Sequence, residues 1–229
     1  MNEKEYWREA LRRGESPPGA EDVAWWRLDI EHPSLPEEAG WAYLSGDEIA
    51  RGERYRQARS RRQFARTRAA LRLLLAGLEA CPPRALAFET GESGKPFLAD
   101  SPWHFNVSHS GRYALLAFSR RGPLGVDVEE MRPAADLPAL CELAFCENER
   151  AACGQGGDLA AFYRQWSVKE AVLKAWGAGI GEGLQAFSAL PGEGAEWRLI
   201  ARELAWWRPC RAWRLDAAPG YAAALACCV

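Results

Sequence analysis

Apolar residues recur every three or four positions in two long segments of the chain, a period that predicts amphipathic helices. The first segment covers about residues 46–78 and ends before Pro82 and Pro83, where proline stops a helix. The second covers about residues 159–176. One or two shorter helices are expected within residues 136–153, a stretch rich in Ala, Glu and Cys.

Short apolar runs bounded by turn-forming residues predict β-strands between and after these helices. The turn signals GESGKP, SHSGR and RRGP separate the earlier runs, and GQGG at 154–157 predicts a loop. The expected strands cover residues 85–88, 103–108, 113–119, 124–129, 186–190, 196–201, 210–217 and 221–228.

The order of one helix followed by several strands occurs twice, with local similarity. Residues 68–77 (RAALRLLLAG) align with 170–179 (EAVLKAWGAG), which places Arg72 opposite Lys174. Residues 103–118 also resemble 213–227 with one gap. Such self-similarity predicts a duplicated α+β unit whose halves face each other across a cleft, where ligands commonly bind.

We therefore expect an α+β fold, a single-chain pseudo-dimer of two similar halves. Residues 1–121 form the N-terminal half and residues 122–229 the C-terminal half. Residues 1–19 match neither half, and they form either a helical extension or a disordered arm.

Charge argues against nucleic acid or an anionic membrane as a partner, because the formal net charge of the 229 residues is -2. Residues 51–72 differ from this average: they are rich in arginine, contain a single acid, Glu53, and form a local surface that attracts anions. The chain opens on charged residues and has no apolar run of membrane-spanning length, so a cytoplasmic protein is expected.

The seven cysteines form no C-x-x-C pair, and an odd number cannot all pair internally. Only three histidines occur, and none has a zinc-ligand spacing to cysteine. The pattern favours a reduced protein over a disulfide framework or a zinc site.

Acidic residues are placed for metal binding on two predicted elements. Asp127 and Glu129 in GVDVEE share one face of a strand, with valines on the other face. Glu170 and Lys174 are four apart on one helix face. Three carboxylates from two elements could hold a hard cation such as Mg²⁺, with Lys174 beside it to contact a phosphate oxygen.

Each motif taken alone has an ordinary structural explanation. A D-x-E strand is typically a solvated face, and an i, i+4 Glu–Lys pair is a surface ion pair. GKP is a turn, NVSHSG is a strand end with its loop, and an arginine run is a solvated helix face. The argument for a site therefore rests on the set of motifs and its order.

In order the chain contains G-K-P, F-N-V-S-H-S-G, G-V-D-V-E and W-S-V-K-E-A-x-x-K. This set closely resembles the Sfp-type 4′-phosphopantetheinyl transferases, over about residues 44–229. The resemblance implies a pseudo-dimer in which each half is a long helix packed on a small antiparallel sheet, with the active site at their interface. Such a chain already supplies both halves of its cleft, so a monomer is expected.

The resemblance also implies the reaction. Family members transfer the 4′-phosphopantetheine arm of coenzyme A to a serine of an apo carrier protein and release adenosine 3′,5′-bisphosphate. The implied cofactor is Mg²⁺, with Mn²⁺ as an alternative, and coenzyme A is the co-substrate. The implied partner is an acyl, polyketide or peptidyl carrier of fatty acid, polyketide or nonribosomal peptide synthesis, and the sequence does not distinguish among these.

Residue roles follow from matching positions. The resemblance assigns the metal to three carboxylates: Asp127, Glu129 and Glu170. For coenzyme A, it implies that Lys174 contacts the pyrophosphate and that Ser108 and His109 contact the 3′-phosphate. Lys95 and Pro96 would border the adenine. By a rougher alignment, Arg51 and Arg72 would contact the phosphates.

The general base that deprotonates the carrier serine is Glu170 by first choice and Glu149 by second choice. Trp166 is expected to pack the helix beneath the site, and Lys169 to support either the site or the fold. The chain departs from the family in carrying arginines where lysines are common, and Glu48 near a position that is often basic.

The same residues are compatible with other functions. A metal-dependent phosphohydrolase or nuclease could use the same three acids, and a coenzyme A-binding scaffold could lack catalysis. A hydrolytic triad of Ser108, His109 and Asp127 is disfavoured because adjacent strand residues point to opposite faces and no G-x-S-x-G motif occurs.

Overall fold

Two antiparallel sheets, each with a long helix on one face, form the body of the protein in a computed structural model that describes residues 3–91, 94–134, 136–153, 158–179, 183–202 and 207–228. The expected loop at 154–157 lies outside these residues. The helices are α1 (Glu3–Ala10), α2 (Gly46–Glu53), α3 (Ala58–Glu79), α4 (Leu137–Ala144), α5 (Glu147–Ala152) and α6 (Leu159–Trp176). None of the helices in the described ranges is long and apolar enough to cross a membrane.

The strands fall into three sheets. They are β1 (Leu11–Arg13), β2 (Val23–Asp29), β3 (Glu89–Thr90), β4 (Pro96–Phe97), β5 (His104–Ser110), β6 (Tyr113–Ser119), β7 (Leu124–Glu130), β8 (Phe187–Pro191), β9 (Glu196–Ala201), β10 (Cys210–Arg214) and β11 (Tyr221–Cys228). The first sheet has the order β1-β2-β6-β5 and the second β7-β11-β10-β9-β8, while β3 and β4 pair separately.

The two halves share one topology, which confirms the expected α+β pseudo-dimer. In the first half β2, α3, β5 and β6 follow in sequence, and the sheet order is β2-β6-β5. In the second half β7, α6, β10 and β11 follow, and the sheet order is β7-β11-β10. Tyr113 and Tyr221 hold equivalent positions opposite Asp29 and Glu130, and their rings contact each other with centroids 4.9 Å apart.

Successive side chains of each strand point to opposite faces of its sheet, and the buried apolar side chains form three layers. One lies between α3 and the first sheet and another between α6 and the second sheet. The third lies between the sheets and includes Trp25, Leu115, Val126, Val128 and Leu225. The valines of β7 face this middle layer. The acidic residues that alternate with them on β7 therefore face α6. The same packing brings β5 of the first half against β7 of the second.

The structure corrects several predicted elements. The first long helix is divided into α2 and α3 by a turn at 54–57, and a capping box of Ser45 with Glu48 starts α2. The strand expected at 85–88 is instead part of a loop that contains a short 3-10 helix, Pro83–Ala85. Strand β2 was not predicted. The N-terminal extension is helical only over α1, which packs Trp7 into the first core, and it continues into β1, an unpredicted strand that pairs with β2.

Candidate active site

A glycine in β7 allows α6 to lie close to the strand that carries the acids. A Cβ on Gly125 would contact Ala171 O and would lie 2.6 Å from Ala175 N, both backbone atoms of α6. Backbone cannot move aside as a flexible side chain can. The first position of the G-V-D-V-E motif therefore sets the distance between Asp127 and the helix.

Replacing Gly125 with alanine is expected to destabilise the protein by about 1–3 kcal/mol, because the added methyl group overpacks the strand–helix contact. Urea unfolding followed by circular dichroism measures the change. Gly77→Ala is the matched control, since a Cβ at that helical position meets nothing within 4 Å. Equal unfolding midpoints for Gly125→Ala and the parent would contradict this close approach.

Asp127 is at the centre of a buried polar cluster and is 1% exposed. Its Oδ1 accepts hydrogen bonds from Lys174 Nζ at 2.6 Å and from Ser108 Oγ at 2.8 Å. Its Oδ2 is buried and has no hydrogen-bond partner among the described residues. An ionised carboxylate with one buried oxygen unpaired is costly unless a further positive charge or donor reaches it.

Glu129 lies two residues further along the same face of β7. It accepts hydrogen bonds from Ser110 Oγ at 2.8 Å and from the Trp166 side chain. Burial and the neighbouring Asp127 carboxylate raise the pKa of Glu129. Trp166 therefore contacts the acidic cluster directly, in addition to stacking on Phe162 within the helix.

Glu170 of α6 completes the cluster and is 3% exposed. Burial raises its pKa to about 7, and the Asp127 and Glu129 carboxylates act in the same direction, while the Lys174 ammonium opposes them. Its Oε1 is buried without a hydrogen-bond partner among the described residues. A carboxyl group with this environment is suited to accept or hold a proton.

The donor set suits a hard divalent cation, which prefers carboxylate oxygens. Two buried unpaired oxygens, on Asp127 and Glu170, and the mutual repulsion of three carboxylates all favour an added positive charge. Among the described residues, however, no three His, Cys, Asp or Glu side chains are arranged as a ready-made metal centre. A cation would share or replace the place that Lys174 holds beside Asp127.

A cavity of about 380 Å³ lies beside this cluster, between the two halves. Five predicted site residues line it: Arg51, Lys95, Pro96, His109 and Lys174. The other lining residues include Tyr55, Phe64, Thr67, Arg68 and Phe105. The volume is in the range of small-molecule and cofactor sites, and its walls combine aromatic rings with cationic groups.

His109 lies at the cavity wall, where its Nδ1 is 3.0 Å from Gln63 Nε2. Desolvation by the surrounding protein lowers its pKa, and the Lys174 ammonium contributes in the same direction. The imidazole is therefore mainly neutral near pH 7 until an anion binds beside it.

Lys95 connects the loop before β4 to the second half, and Pro96, the first residue of β4, lines the cavity beside it. Lys95 Nζ donates hydrogen bonds to Leu124 O at 2.7 Å and to Lys174 O at 2.8 Å. Burial lowers the pKa of Lys95 to about 8. The ammonium thus holds the cavity wall together at the carboxyl end of α6, where cations stabilise the helix.

Arg72 is not in the cavity, contrary to its predicted contact with phosphates. It is 1% exposed, donates from Nε to Glu48 at 2.6 Å, and donates from Nη1 to Pro83 O at 2.6 Å. Arg68, one turn earlier, lines the cavity instead and also pairs with Glu48, at 2.7 Å from its Nε. In the internal alignment of residues 68–77 with 170–179, Arg68 lies opposite Glu170, and this was the signal in the sequence that could have indicated Arg68 as a site residue.

The side chains of Ser108 and His109 lie on opposite faces of β5, although both were expected at the 3′-phosphate. The two residues are neighbours on β5 and therefore point to opposite faces. Ser108 Oγ contacts Asp127 and accepts a hydrogen bond from Lys174 Nζ at 3.1 Å, so its side chain belongs to the acidic cluster. His109 alone of the pair lines the cavity.

Glu149, the second choice for the base, lies outside the cavity and is fully buried. It accepts hydrogen bonds from Lys169 Nζ at 2.7 and 2.9 Å, from Gln165 Nε2, and from the backbone of Cys146 and Ala189. These bonds join α5, α6 and β8. The contacts give Glu149 and Lys169 a structural role and leave Glu170 as the better-placed base.

Several residues of the site lie in segments that the sequence analysis singled out, but were given no individual role there. Ser110 bonds Glu129, Gln63 contacts His109, and Tyr55 and Phe64 pack at the cavity with ring centroids 5.5 Å apart. The role of each depends on which residues the fold brings opposite it.

Both halves of the chain match protein-family models. The model of the 4′-phosphopantetheinyl transferase superfamily matches residues 123–226, and that of the 4′-phosphopantetheinyl transferase N-terminal region matches residues 36–121. The slr0495 protein of Synechocystis sp. is 38% identical over 197 residues, which are 78% of this chain and 79% of that protein.

Two further relatives are named 4′-phosphopantetheinyl transferases. The 4′-phosphopantetheinyl transferase HetI of Nostoc sp. is 35% identical over 168 residues, 70% of this chain and 71% of that protein. The 4′-phosphopantetheinyl transferase Sfp of Bacillus subtilis is 36% identical over 107 residues, 45% of this chain and 46% of that protein.

Proposed function

Because the chain belongs to the 4′-phosphopantetheinyl transferase family, we propose that it transfers the arm of coenzyme A to a serine of an apo carrier protein. The reaction depends on Mg²⁺ or Mn²⁺ and releases adenosine 3′,5′-bisphosphate. The observation that carries the proposal is the meeting of Asp127, Glu129, Glu170 and Lys174 at the edge of a cationic cavity between the halves.

The cavity is proposed to hold the nucleotide part of coenzyme A. Arg51, Arg68 and His109 are the wall residues whose charge or N–H groups suit phosphates. Pro96 and the aromatic rings offer apolar surface for the adenine. The neutral His109 is expected to gain a proton as the 3′-phosphate binds, which strengthens that hydrogen bond.

Asp127, Glu129 and Glu170 are the residues that would hold the cation. When bound, a divalent cation neutralises negative charge on the pyrophosphate. Lys174 is in place to donate a hydrogen bond to the same group when it releases Asp127, so the cluster combines negative charge for a metal with an ammonium for a phosphate.

Glu170 is the proposed base. The carrier serine Oγ loses its proton to Glu170, directly or through one water, as it bonds to the phosphorus that carries the pantetheine arm. The bond from that phosphorus to the bridging oxygen breaks, and the electron pair leaves with adenosine 3′,5′-bisphosphate. The raised pKa of Glu170, about 7, suits this carboxylate to take up the proton.

The carrier protein is proposed to be steered by the arginine-rich segment 51–72, which includes exposed arginines on α3. An acidic helical carrier would approach such a surface faster at low ionic strength. We further propose that the protein acts in the cytoplasm as a monomer, and light scattering that gives twice the chain mass would contradict a monomer.

Intact-mass spectrometry of a carrier protein tests the function. Apo acyl and peptidyl carriers are incubated with the protein, coenzyme A and Mg²⁺. A gain of one phosphopantetheine arm that EDTA or Asp127→Ala abolishes supports the proposal. Phosphate release without carrier modification would favour a phosphohydrolase, and coenzyme A binding without either reaction would favour a non-catalytic scaffold.

Two neighbouring arginines are expected to respond differently to substitution. Arg68→Ala is expected to weaken coenzyme A binding about tenfold, because one charged hydrogen bond to phosphate contributes roughly 1.5 kcal/mol. Arg72→Ala is expected to lower stability by about 1–3 kcal/mol instead, because it uncovers buried carbonyl groups. Calorimetry with coenzyme A and urea unfolding separate the effects, and the reverse pattern would restore Arg72 as the phosphate contact.

A further inference from the structure

Two cysteines lie opposite each other in the second sheet. Cys210 of β10 and Cys228 of β11 are paired in register in an antiparallel ladder. Directly opposed residues place their side chains on the same face, and here both side chains pack toward α6. Neither residue has a part in the proposed transfer reaction.

The spacing of such a pair allows a disulfide bond. Opposed residues of an antiparallel pair have Cα atoms about 4.5 or about 5.5 Å apart, depending on their hydrogen bonding. Disulfide bonds form when the Cα atoms are about 4.4–6.8 Å apart. Both alternatives lie within this range, so the bond needs no rearrangement of the strands.

Cys228 is the more reactive of the two thiols. It is half-buried at the wall of an open groove of about 560 Å³ that Lys95 and Arg208 also line. A hydrogen bond from the Cys210 thiol, together with the positive charges of Lys95 and Arg208, lowers the pKa of Cys228 to about 7 against the effect of burial. The same hydrogen bond and burial raise the pKa of Cys210.

Two other cysteines, Cys227 and Cys153, lack this combination. Cys227 points to the opposite face of β11, against the layer between the sheets, and burial raises its pKa to about 12. Burial also raises the pKa of Cys153, to about 11. A thiolate beside cations, reachable from a groove and next to a second thiol, is the pattern of a redox-sensitive cysteine.

We propose that Cys228 and Cys210 form a peroxide-reactive thiol pair that closes to an intramolecular disulfide. The Cys228 thiolate attacks one oxygen of hydrogen peroxide, the O–O bond breaks, and hydroxide leaves and takes up a proton as water. Cys228 is then a sulfenic acid. The Cys210 sulfur attacks the Cys228 sulfur, the S–O bond breaks, and the proton of Cys210 leaves with the hydroxide as a second water.

Oxidation of the full-length reduced protein with hydrogen peroxide tests the pair. The intact mass is expected to fall by two hydrogen atoms, dithiothreitol is expected to restore it, and a non-reducing digest is expected to yield a peptide linking Cys210 to Cys228. Cys210→Ser should instead stop at a Cys228 sulfenic acid, which dimedone traps. Cys227→Ser is the matched control and should oxidise like the parent.

A second measurement uses the unmodified sequence, so it does not depend on the folding of a variant. At pH 7 iodoacetamide is expected to label Cys228 at least about tenfold faster than the half-buried Cys81, because the thiolate is the reactive form. Equal labelling rates, a disulfide that joins other cysteines, or unchanged oxidation of Cys228→Ser would each overturn the proposal.

Discussion

Glu170→Gln is expected to lower the rate of carrier modification by about 10³-fold, within the range that a positioned general base contributes. The substitution keeps the size of the side chain but removes both its proton affinity and its negative charge. Because the buried Oε1 of Glu170 has no hydrogen-bond partner among the described residues, the change breaks no existing contact of that atom. Rate loss without loss of stability is therefore expected.

Single-turnover mass spectrometry of the carrier measures the rate, and coenzyme A calorimetry with and without Mg²⁺ separates binding from transfer. Glu130→Gln is the matched control: it removes a carboxylate from the same strand, but one that pairs with Arg132 outside the cluster. The control should transfer at the parent rate. Parent-like binding and turnover by Glu170→Gln would remove Glu170 from the mechanism.

The second large effect is expected from the buried ion pair of Lys169 and Glu149. Both side chains are fully buried, and Lys169 Nζ also donates to Phe187 O at 2.7 Å. Lys169→Met leaves the Glu149 charge buried without its counter-ion. The free energy of unfolding is expected to fall by about 3–5 kcal/mol, as when one partner of a buried pair is removed.

The double variant Glu149→Gln with Lys169→Met separates the structural role from a catalytic one. It removes both charges, and glutamine still offers an oxygen to the backbone N–H groups of Cys146 and Ala189. Stability is expected to recover most of the loss. Transfer activity should recover with it, whereas a stable but inactive double variant would make Glu149 the base after all.

Chemical denaturation measures the stabilities of the single and the double variant. Arg164→Ala is the control for removing a cation from the same helix. Arg164 is a half-buried residue of the same helix, and its ion-pair contact, to the more exposed Asp158, is 3.7 Å long. Surface pairs contribute about 0–1 kcal/mol, so this variant should unfold near the parent midpoint. A similar loss of unfolding free energy in Arg164→Ala and Lys169→Met would show that burial of the Lys169–Glu149 pair contributes little to stability.

Local sequence information was enough to predict most of the secondary structure and the acidic cluster. The helix at 159–176 and the strands at 113–119 and 196–201 match α6, β6 and β9. Hydrophobic periodicity and turn residues act over a few neighbouring positions, so they can be read without tertiary contacts. Placing Asp127 and Glu129 on one face also needs only the two-residue period of a strand.

Internal similarity determined the duplicated architecture as well, because equivalent helices and hairpins keep related patterns of apolar residues. It did not show which strand precedes each helix. Strand β2 was missed, and only its pairing with β6 reveals it as the counterpart of β7.

The tertiary structure alone decided which charged residues reach the cleft. Arg68 and Arg72 are one helical turn apart and chemically alike, yet Glu48 and the carbonyls of a later loop bury Arg72, while Arg68 borders the cavity. Glu149 likewise resembles a site acid until Lys169 is seen beside it. A local pattern specifies the face on which a side chain lies, whereas its partner comes from a distant segment that only packing brings near.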